Sequence, residues 1–415
     1  MNRNKMLKFI RNKLKIVNAM IPTRNNCIYA VPHTNCRKDC YDIINYKSDN
    51  LLCVINACIR KDCFPCMKIY LECFSEERME LIKNYLHQNN VSKLKVIPIL
   101  SAKTATKIKM HKIRFLRNIL LRFSCKYWFS DTPYVHFHEK NKNQKFICFN
   151  YSTPLKSERY IDSDYNDFSN CDGFLTTSLM TAQINSSEFW LRLYNCLILG
   201  FPRNDCLFEK SNNTKMLNWI RKKASFPISK IIVYAPTYRD YDGAYDNCNI
   251  LGYKDENNLL EDYLSSHNYL LICKMHPLQK LTNTIISPHV VNYETTYDFS
   301  LYDLLAKSDL LISDYSSVIH DYIISSKPVI LDLFDKNRYD ETRGFAFDPL
   351  EWVYPGPIAT SLQDVICAIE NVFGKTNLQI NSKESDLVRR VFHKHIDNKS
   401  TDRMVEYLSK LFKKK

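Results

Sequence analysis

A chain of 415 residues with 45% hydrophobic content can bury sizeable cores, and its length points to two domains of a soluble globular protein. Its 58 Lys and Arg against 44 Asp and Glu leave a net charge of +14, which suits polyanionic partners such as phosphate polymers, nucleotides or anionic membranes. Only 7 Gly are present, which excludes a glycine-rich phosphate loop; any phosphate site must use helix starts, hydroxyls and basic side chains.

Residues 1–22 read as a basic amphipathic helix. Met6, Phe9, Ile10, Leu14, Val17 and Ile21 recur at steps of three and four, with Lys8, Arg11 and Lys15 on another face. Such a helix suits either the inner membrane surface or packing on the protein body. No secretory signal core is visible at the start, and no run of ~18 apolar residues occurs, so nothing is expected to span a bilayer. The expected location is cytoplasmic, at most peripheral on the inner face of the membrane, with the 16 Cys reduced. Cys36, Cys40, Cys63 and Cys66 have metal-like spacing, but cysteines scattered through other apolar stretches make chance clustering the stronger reading.

Residues 23–200 alternate short apolar strands with helical stretches. The strands fall at 27–31, 51–55, 96–100, 145–149, 173–177 and 197–199, and 103–123 reads as a basic helix leading to Lys126-Tyr127-Trp128-Phe129. This alternation argues a Rossmann-like domain. Gly200-Phe201-Pro202-Arg203-Asn204-Asp205 is a break and marks the boundary. Residues 201–385 carry a second alternating set, with strands at 231–234, 270–274, 290–293, 310–312 and 329–331, and 386–415 is a Lys/Arg-rich helical segment. The expected fold class is α/β, two Rossmann-like domains facing across a cleft in the GT-B manner. No nucleic-acid-binding motif is visible, because the aromatic residues are spread through apolar strands rather than set in one basic stripe.

One stretch reads as chemistry. The strand 310–312 runs into Ser313-Asp314-Tyr315-Ser316-Ser317, after which Val318, Ile319, Tyr322 and Ile323 recur at helical spacing, Pro328 stops the helix, and 329–331 forms a second strand. Hydroxyls and the free N–H groups of a helix start meet at one point, which suits a phosphate; ordinary capping uses the same residues.

The ordered segments GFPRND, YAPTYRD, KMHP, SDYSSVIHDY, KPVILDLFDKNRYDETRGFAFD and PGP resemble the CDP-glycerol glycerophosphotransferases, which build teichoic acids and related bacterial capsule polymers. The resemblance covers roughly residues 127–373. It implies a transferase that moves glycerol phosphate, or a related polyol phosphate, from a CDP-glycerol or CDP-ribitol donor to a glycan or polymer acceptor, releasing CMP. The KMHP residue His276 would contact donor phosphate or assist the leaving group. Ser313, Asp314, Ser316 and Ser317 would hold phosphate and nucleotide, and Arg239 or Arg343 would neutralise the pyrophosphate, with structural ion pairs as the alternative for both arginines. Thr153, Lys156 and Arg203 fall on the acceptor side. No metal or cofactor is demanded, although Mg²⁺ could assist at the donor phosphates.

The departure from the family lies in its His-Gly-Thr-Pro-Leu-Lys segment, whose His is thought to act as the base. Here the residues are Tyr151-Ser152-Thr153-Pro154-Leu155-Lys156. A tyrosine with an ordinary pKa near ~10 is a poor base at neutral pH. Tyr151, Asp131, His136 and His138 are therefore all candidates, beside a changed acceptor or a lost activity. Two further readings stay open: a glycosyltransferase of the same fold using a nucleotide sugar, and a catalytically silent scaffold that binds anionic polymer or membrane.

Overall fold

The computed structural model describes residues 3–32, 49–61, 63–73, 75–88, 95–100, 108–131, 139–150, 152–153, 167–209, 213–239, 248, 250–275, 287–293, 299–347, 349–354, 356–374 and 383–413. The amino-terminal part contains α1 (Arg3–Met20), β1 (Arg24–Val31), α2 (Asn50–Arg60), β2 (Lys68–Cys73), α3 (Glu76–Gln88), β3 (Lys95–Leu100), α4 (Ile108–Ser124), β4 (Cys125–Ser130), β5 (Lys145–Cys148), β6 (Gly173–Thr176), α5 (Leu179–Glu188) and β7 (Cys196–Ile198). Its strands form a parallel sheet in the order β3-β2-β1-β4-β5-β6-β7.

The second part continues with α6 (Thr214–Lys223), β8 (Lys230–Tyr234), α7 (Leu259–His267), β9 (Tyr269–Cys273), β10 (Val290–Asn292), α8 (Leu301–Lys307), β11 (Leu310–Ser313), α9 (Val318–Tyr322), β12 (Val329–Asp332), α10 (Lys336–Arg343), β13 (Ile358–Ala359), α11 (Leu362–Gly374), α12 (Lys383–Phe392) and α13 (Ser400–Lys413). The order β10-β9-β8-β11-β12-β13 is again parallel throughout. Each sheet reverses its order beside its first strand, between β1 and β4 and between β8 and β11. At such switch points open α/β sheets hold ligands beyond the carboxyl ends of the strands.

Continuous apolar runs form these strands because both faces are covered. In β1, Ile28 and Ala30 join one core while Cys27, Tyr29 and Val31 join the core on the opposite face. In β8, Ile231 and Val233 divide from Ile232 and Tyr234 in the same way.

The same lack of periodicity explains one correction. Residues 51–55, expected as a strand, lie in α2, whose side chains from Asn50 to Ile59 are buried apart from Cys53. An apolar run buried almost all round carries no helical period. The start signal that decides the matter is Asp49, whose carboxylate accepts from the Leu52 N–H at 3.0 Å. Strand β2 escaped the pattern because Lys68 and Glu72 interrupt it.

The carboxyl-terminal segment 386–415 crosses back. Met404 and Leu408 of α13 are buried in the first domain's core, and the Phe412 ring packs edge-on against Tyr127 at 4.7 Å and Phe64 at 4.9 Å. The core of the first sheet therefore includes side chains of α13.

Candidate active site

The carboxyl edge of the second sheet is held shut by its own motif residues. The Ser313 hydroxyl donates to the Ala235 carbonyl at 2.6 Å, joining the ends of β11 and β8. The Asp314 carboxylate accepts from the N–H groups of Thr237 (2.8 Å) and Tyr315 (2.6 Å) and from Nη1 of Arg239. Arg239 also donates through Nε and Nη2 to both oxygens of Asp335, each at 2.8 Å, and lies over the rings of Tyr315, Phe334 and Tyr339 at 5.2 Å. All of Ser313, Asp314 and Arg239 are buried. Of the two roles weighed for Arg239, the structural ion pair is the one that this arrangement forms. The bidentate fork and aromatic stacking are what a guanidinium does best when it organises a loop.

That leaves Ser316 and Ser317 as the half-buried hydroxyls of this loop. Ser316 Oγ accepts weakly from the Val318 N–H at 3.4 Å, and Ser317, the residue before α9, makes no capping bond with its side chain. Beside them Asp332 ends β12. Burial pushes its carboxyl well above the ordinary range; Oδ1 accepts from the Tyr253 hydroxyl at 2.7 Å, and Oδ2 has no partner.

The first sheet's carboxyl edge is organised around Asn50. Its Nδ2 donates to the carbonyl of Asn150 at 2.6 Å, and its Oδ1 accepts from the Arg203 N–H at 3.1 Å, so one side chain joins α2, the segment after β5 and the interdomain break. Asn150 takes a left-handed φ of +48°, a conformation Asn tolerates, and its own Nδ2 donates to the Ser152 carbonyl at 3.0 Å. Asp131, just past β4, is fully buried. Its Oδ1 accepts from the Leu51 N–H at 3.1 Å, and Oδ2 has no partner. Burial and then the Asp49 charge raise its pKa well above the usual carboxylate range, with Arg203 acting against them. The Thr153 hydroxyl is also buried without a partner.

The domain junction is where Arg203 does its visible work. Its Nη2 donates to Asp321 of α9 at 2.6 Å, and the same carboxylate accepts from Asn204 Nδ2 (3.1 Å) and from the Tyr302 hydroxyl. The guanidinium also lies over the rings of Phe201 (5.0 Å) and Tyr302 (5.2 Å). Burial is the largest single influence and works against its charge, but Asp321, Tyr302 and Asp131 together outweigh it and the pKa is raised. Two residues on, Asp205 caps the returning helix α13 by accepting from the N–H groups of Ser400 (2.9 Å) and Thr401 (2.8 Å). At the next element of the junction, His393 Nε2 meets the His320 carbonyl at 2.5 Å, and burial holds the His320 ring down to about 3.

Several sequence candidates lie outside the described residues: His276, Tyr151, Lys156, His136 and His138, and also Cys36 and Cys40. The Arg343 side chain lies outside them too, although its backbone ends α10. Two Asp-x-Asp pairs, Asp162-Ser163-Asp164 and Asp240-Tyr241-Asp242, fall outside the described residues as well. Among the described residues no cluster of three or more His, Cys, Asp or Glu could hold a metal ion. Sequence reasoning missed Asp49, Asn50 and Asp321; the helix-start pattern Asp49-Asn50-Leu51-Leu52 is the signal that could have found the first two.

The profile of the family described as CDP-Glycerol:Poly(glycerophosphate) glycerophosphotransferase matches residues 68–410. Among curated proteins, the chain is 29% identical over 268 residues to a teichoic acid poly(glycerol phosphate) polymerase of Staphylococcus epidermidis, covering 59% of this chain and 36% of that one. It is 30% identical over 230 residues to the teichoic acid ribitol-phosphate polymerase TarL of Staphylococcus aureus, covering 54% and 38%. The match thus spans well under half the length of these relatives. Among solved structures, the wall teichoic acid polymerase TagF superposes with a TM-score of 0.67 at 20% identity, covering 97% of this chain and 94% of that one. The UDP-GlcNAc 2-epimerase of Methanocaldococcus jannaschii superposes with a TM-score of 0.53 at 12% identity, covering 92% and 99%. These two likenesses show a shared fold.

Proposed function

Because the chain belongs to the CDP-glycerol:poly(glycerophosphate) glycerophosphotransferase family, we propose that it transfers a polyol phosphate from a CDP-linked donor to a glycan or polymer acceptor and releases CMP. The observation that carries this reading is the β11–α9–β12 unit. Its carboxyl edge is rigidly tied by Asp314 and Arg239 and presents the Ser316 and Ser317 hydroxyls at a sheet switch point. Donor phosphate meets these two serines, with His276 and Arg343 as the residues assigned to the leaving group and the pyrophosphate charge. Thr153 and Lys156 serve the acceptor, while Arg203 acts from behind by holding the domains in register. The donor carries glycerol or ribitol, as the names of the relatives suggest. The charge of the transfer is met by side chains and backbone N–H groups, with Mg²⁺ as an optional aid at the pyrophosphate.

On this reading the reaction takes place at the inner membrane surface. Among the described residues no helix is long and apolar enough to cross a membrane. Ile16, Val17 and Met20 of α1 and Ile113, Leu116 and Leu120 of α4 are exposed apolar residues on helices that also carry Lys13, Lys15, Arg114 and Arg117. Asn18 and Arg122 of the same helices both bond to Glu139, which supports a single interfacial face. The test is acceptor-dependent CMP release from CDP-glycerol and CDP-ribitol; a folded protein that binds neither donor sinks the reading.

A further inference from the structure

The donor serines occupy the carboxyl edge of the second sheet. At its amino edge, where β8 and β11 begin, a cavity of about 520 Å³ lies between α6, the end of α8 and the residues before β12. Ligand sites commonly enclose ~300–1,000 Å³. The length of β11, four residues or roughly 13 Å, separates this cavity from Ser316 and Ser317. Leu217, Ile220 and Ile231 supply an apolar wall. Arg221, Lys230, Lys307 and Lys327 bring four cations to it, against the carboxylates of Glu209 and Asp309.

Part of this charge serves the fold. Lys327 Nζ donates to the Leu305 and Ala306 carbonyls in the last turn of α8, at 3.2 and 2.7 Å, as a cation does at a helix end. Asp309 accepts from the Ile231 N–H at 2.8 Å and stands 3.8 Å from Lys230, a half-exposed pair that contributes little. The remaining charge has no such task. Lys307 is half-buried yet makes no hydrogen bond or ion pair among the described residues, and the Arg221 side chain bonds to the neutral Asn218 amide at 3.4 Å. Cations gathered in a concave site favour an anion there.

The wall also limits what that anion can be. The Ser229 and Ser308 hydroxyls already donate to backbone carbonyls, of His267 at 2.6 Å and of Leu305 at 3.0 Å, so they do not serve to read the edge of a base. Phe208 is both the one aromatic ring and the one exposed large apolar side chain among the described lining residues, so this face does not suit insertion into a bilayer as α1 and α4 do. Positive charge beside a short apolar wall matches a linear chain of phosphates joined by small polyols.

We propose that this cavity is a second, non-catalytic site that holds a stretch of poly(polyol phosphate), its phosphates paired with Lys307, Lys230 and Arg221. This inference rests on the transferase reading above. A chain held at the amino edge stays with the protein between transfers. The site therefore governs how many units are added before release and leaves the chemistry of a single transfer alone.

The experiment compares full-length wild type with Lys230→Gln/Lys307→Gln and with a triple variant that adds Arg221→Gln. The probes are synthetic tetramers of glycerol phosphate and of ribitol phosphate, glycerol 3-phosphate alone, and phosphatidylglycerol vesicles. Calorimetry reads affinity, acetic anhydride labelling followed by mass spectrometry reads protection of Lys230 and Lys307, and gel electrophoresis reads product length. Tetramer binding should weaken by about tenfold or more in the double variant and further in the triple. A tetramer should slow labelling of both lysines, whereas glycerol 3-phosphate at equal phosphate concentration should not. CMP release with a short acceptor should stay within about twofold, because the site lies beyond a Debye length of ~8 Å from the donor serines, while product chains shorten.

A folded triple variant with wild-type tetramer affinity and product length overturns the proposal. Equal protection by glycerol 3-phosphate would show a free-phosphate site instead, and loss of vesicle binding with tetramer affinity kept would show a membrane contact; either overturns it. If the variants do not fold, labelling of wild type decides. Wild type that releases CMP but binds no tetramer overturns the second site alone. Wild type whose lysines are protected by a tetramer, but which releases no CMP from either CDP-linked donor, overturns the transferase reading alone.

Discussion

Replacing Arg203 should destabilise the domain junction more than any exposed charge change. Its side chain is only 5% exposed and Asp321's is 1% exposed, so Arg203→Met leaves a carboxylate enclosed with just the Asn204 amide and the Tyr302 hydroxyl to solvate it. Breaking a buried pair from one side costs about 3–5 kcal/mol, most of it from the stranded charge. Methionine loses the cation–π contacts with the Phe201 and Tyr302 rings but sets an apolar side chain against them, so most of the loss comes from the stranded charge. The single change Asp321→Asn strands the guanidinium instead and should cost a similar ~3 kcal/mol. The double variant strands no charge: the amide oxygen introduced by Asp321→Asn can still accept from Asn204 and Tyr302. Urea unfolding of all four proteins, followed by tryptophan fluorescence and by circular dichroism, gives the cycle. The expected outcome is a double variant no less stable than the worse single variant, a coupling of about 2 kcal/mol or more. Additive losses, or a loss under about 1 kcal/mol for Arg203→Met, would refute the assignment of this pair as a buried tie.

Three further outcomes follow from the same structure. Asp332→Asn should stabilise the protein at pH 7 and do so less at pH 4, as read by thermal melting. The folded carboxyl is raised by burial, so the native state holds a proton that the unfolded chain releases near ~3.9, and stability falls as pH rises through the folded value. A melting-temperature gain equal at both pH values would contradict the raised carboxyl. Gly356→Ala should cost at least about 1–3 kcal/mol, because φ is +131° and the added Cβ would lie 2.2 Å from the Val329 carbonyl oxygen; a neutral effect in chemical unfolding would show that this approach is not made. Asp205→Ala removes the cap on two N–H groups of α13 and should cost about 1–2 kcal/mol, with limited proteolysis cutting the returning helix first.

Much of this was legible in the residues. The β11–α9–β12 unit followed from an apolar run, cap residues and Pro328, and the two parallel sheets followed from alternating runs buried on both faces. What was not legible was the direction in which polar side chains point. Ser313 and Asp314 share a loop with Ser316 and Ser317, yet the first two turn inward because Ala235, Thr237 and Arg239 wait there, some 75 residues away in sequence. Arg203 looked like an acceptor-side residue for the same reason: its partner Asp321 lies 118 residues on, and no local pattern announces it. The strand expected at 51–55 failed for a different cause, since burial on all sides of α2 erased the period that distinguishes helix from strand.

Polyol-phosphate transfer is tested most directly by CMP release from CDP-glycerol and CDP-ribitol, using purified protein with a membrane or glycan acceptor fraction and comparing wild type with His276→Ala. Release that requires the acceptor and is lost in the variant is the predicted result. Folded protein that releases CMP from neither donor, or a His276→Ala variant as active as wild type, would contradict it.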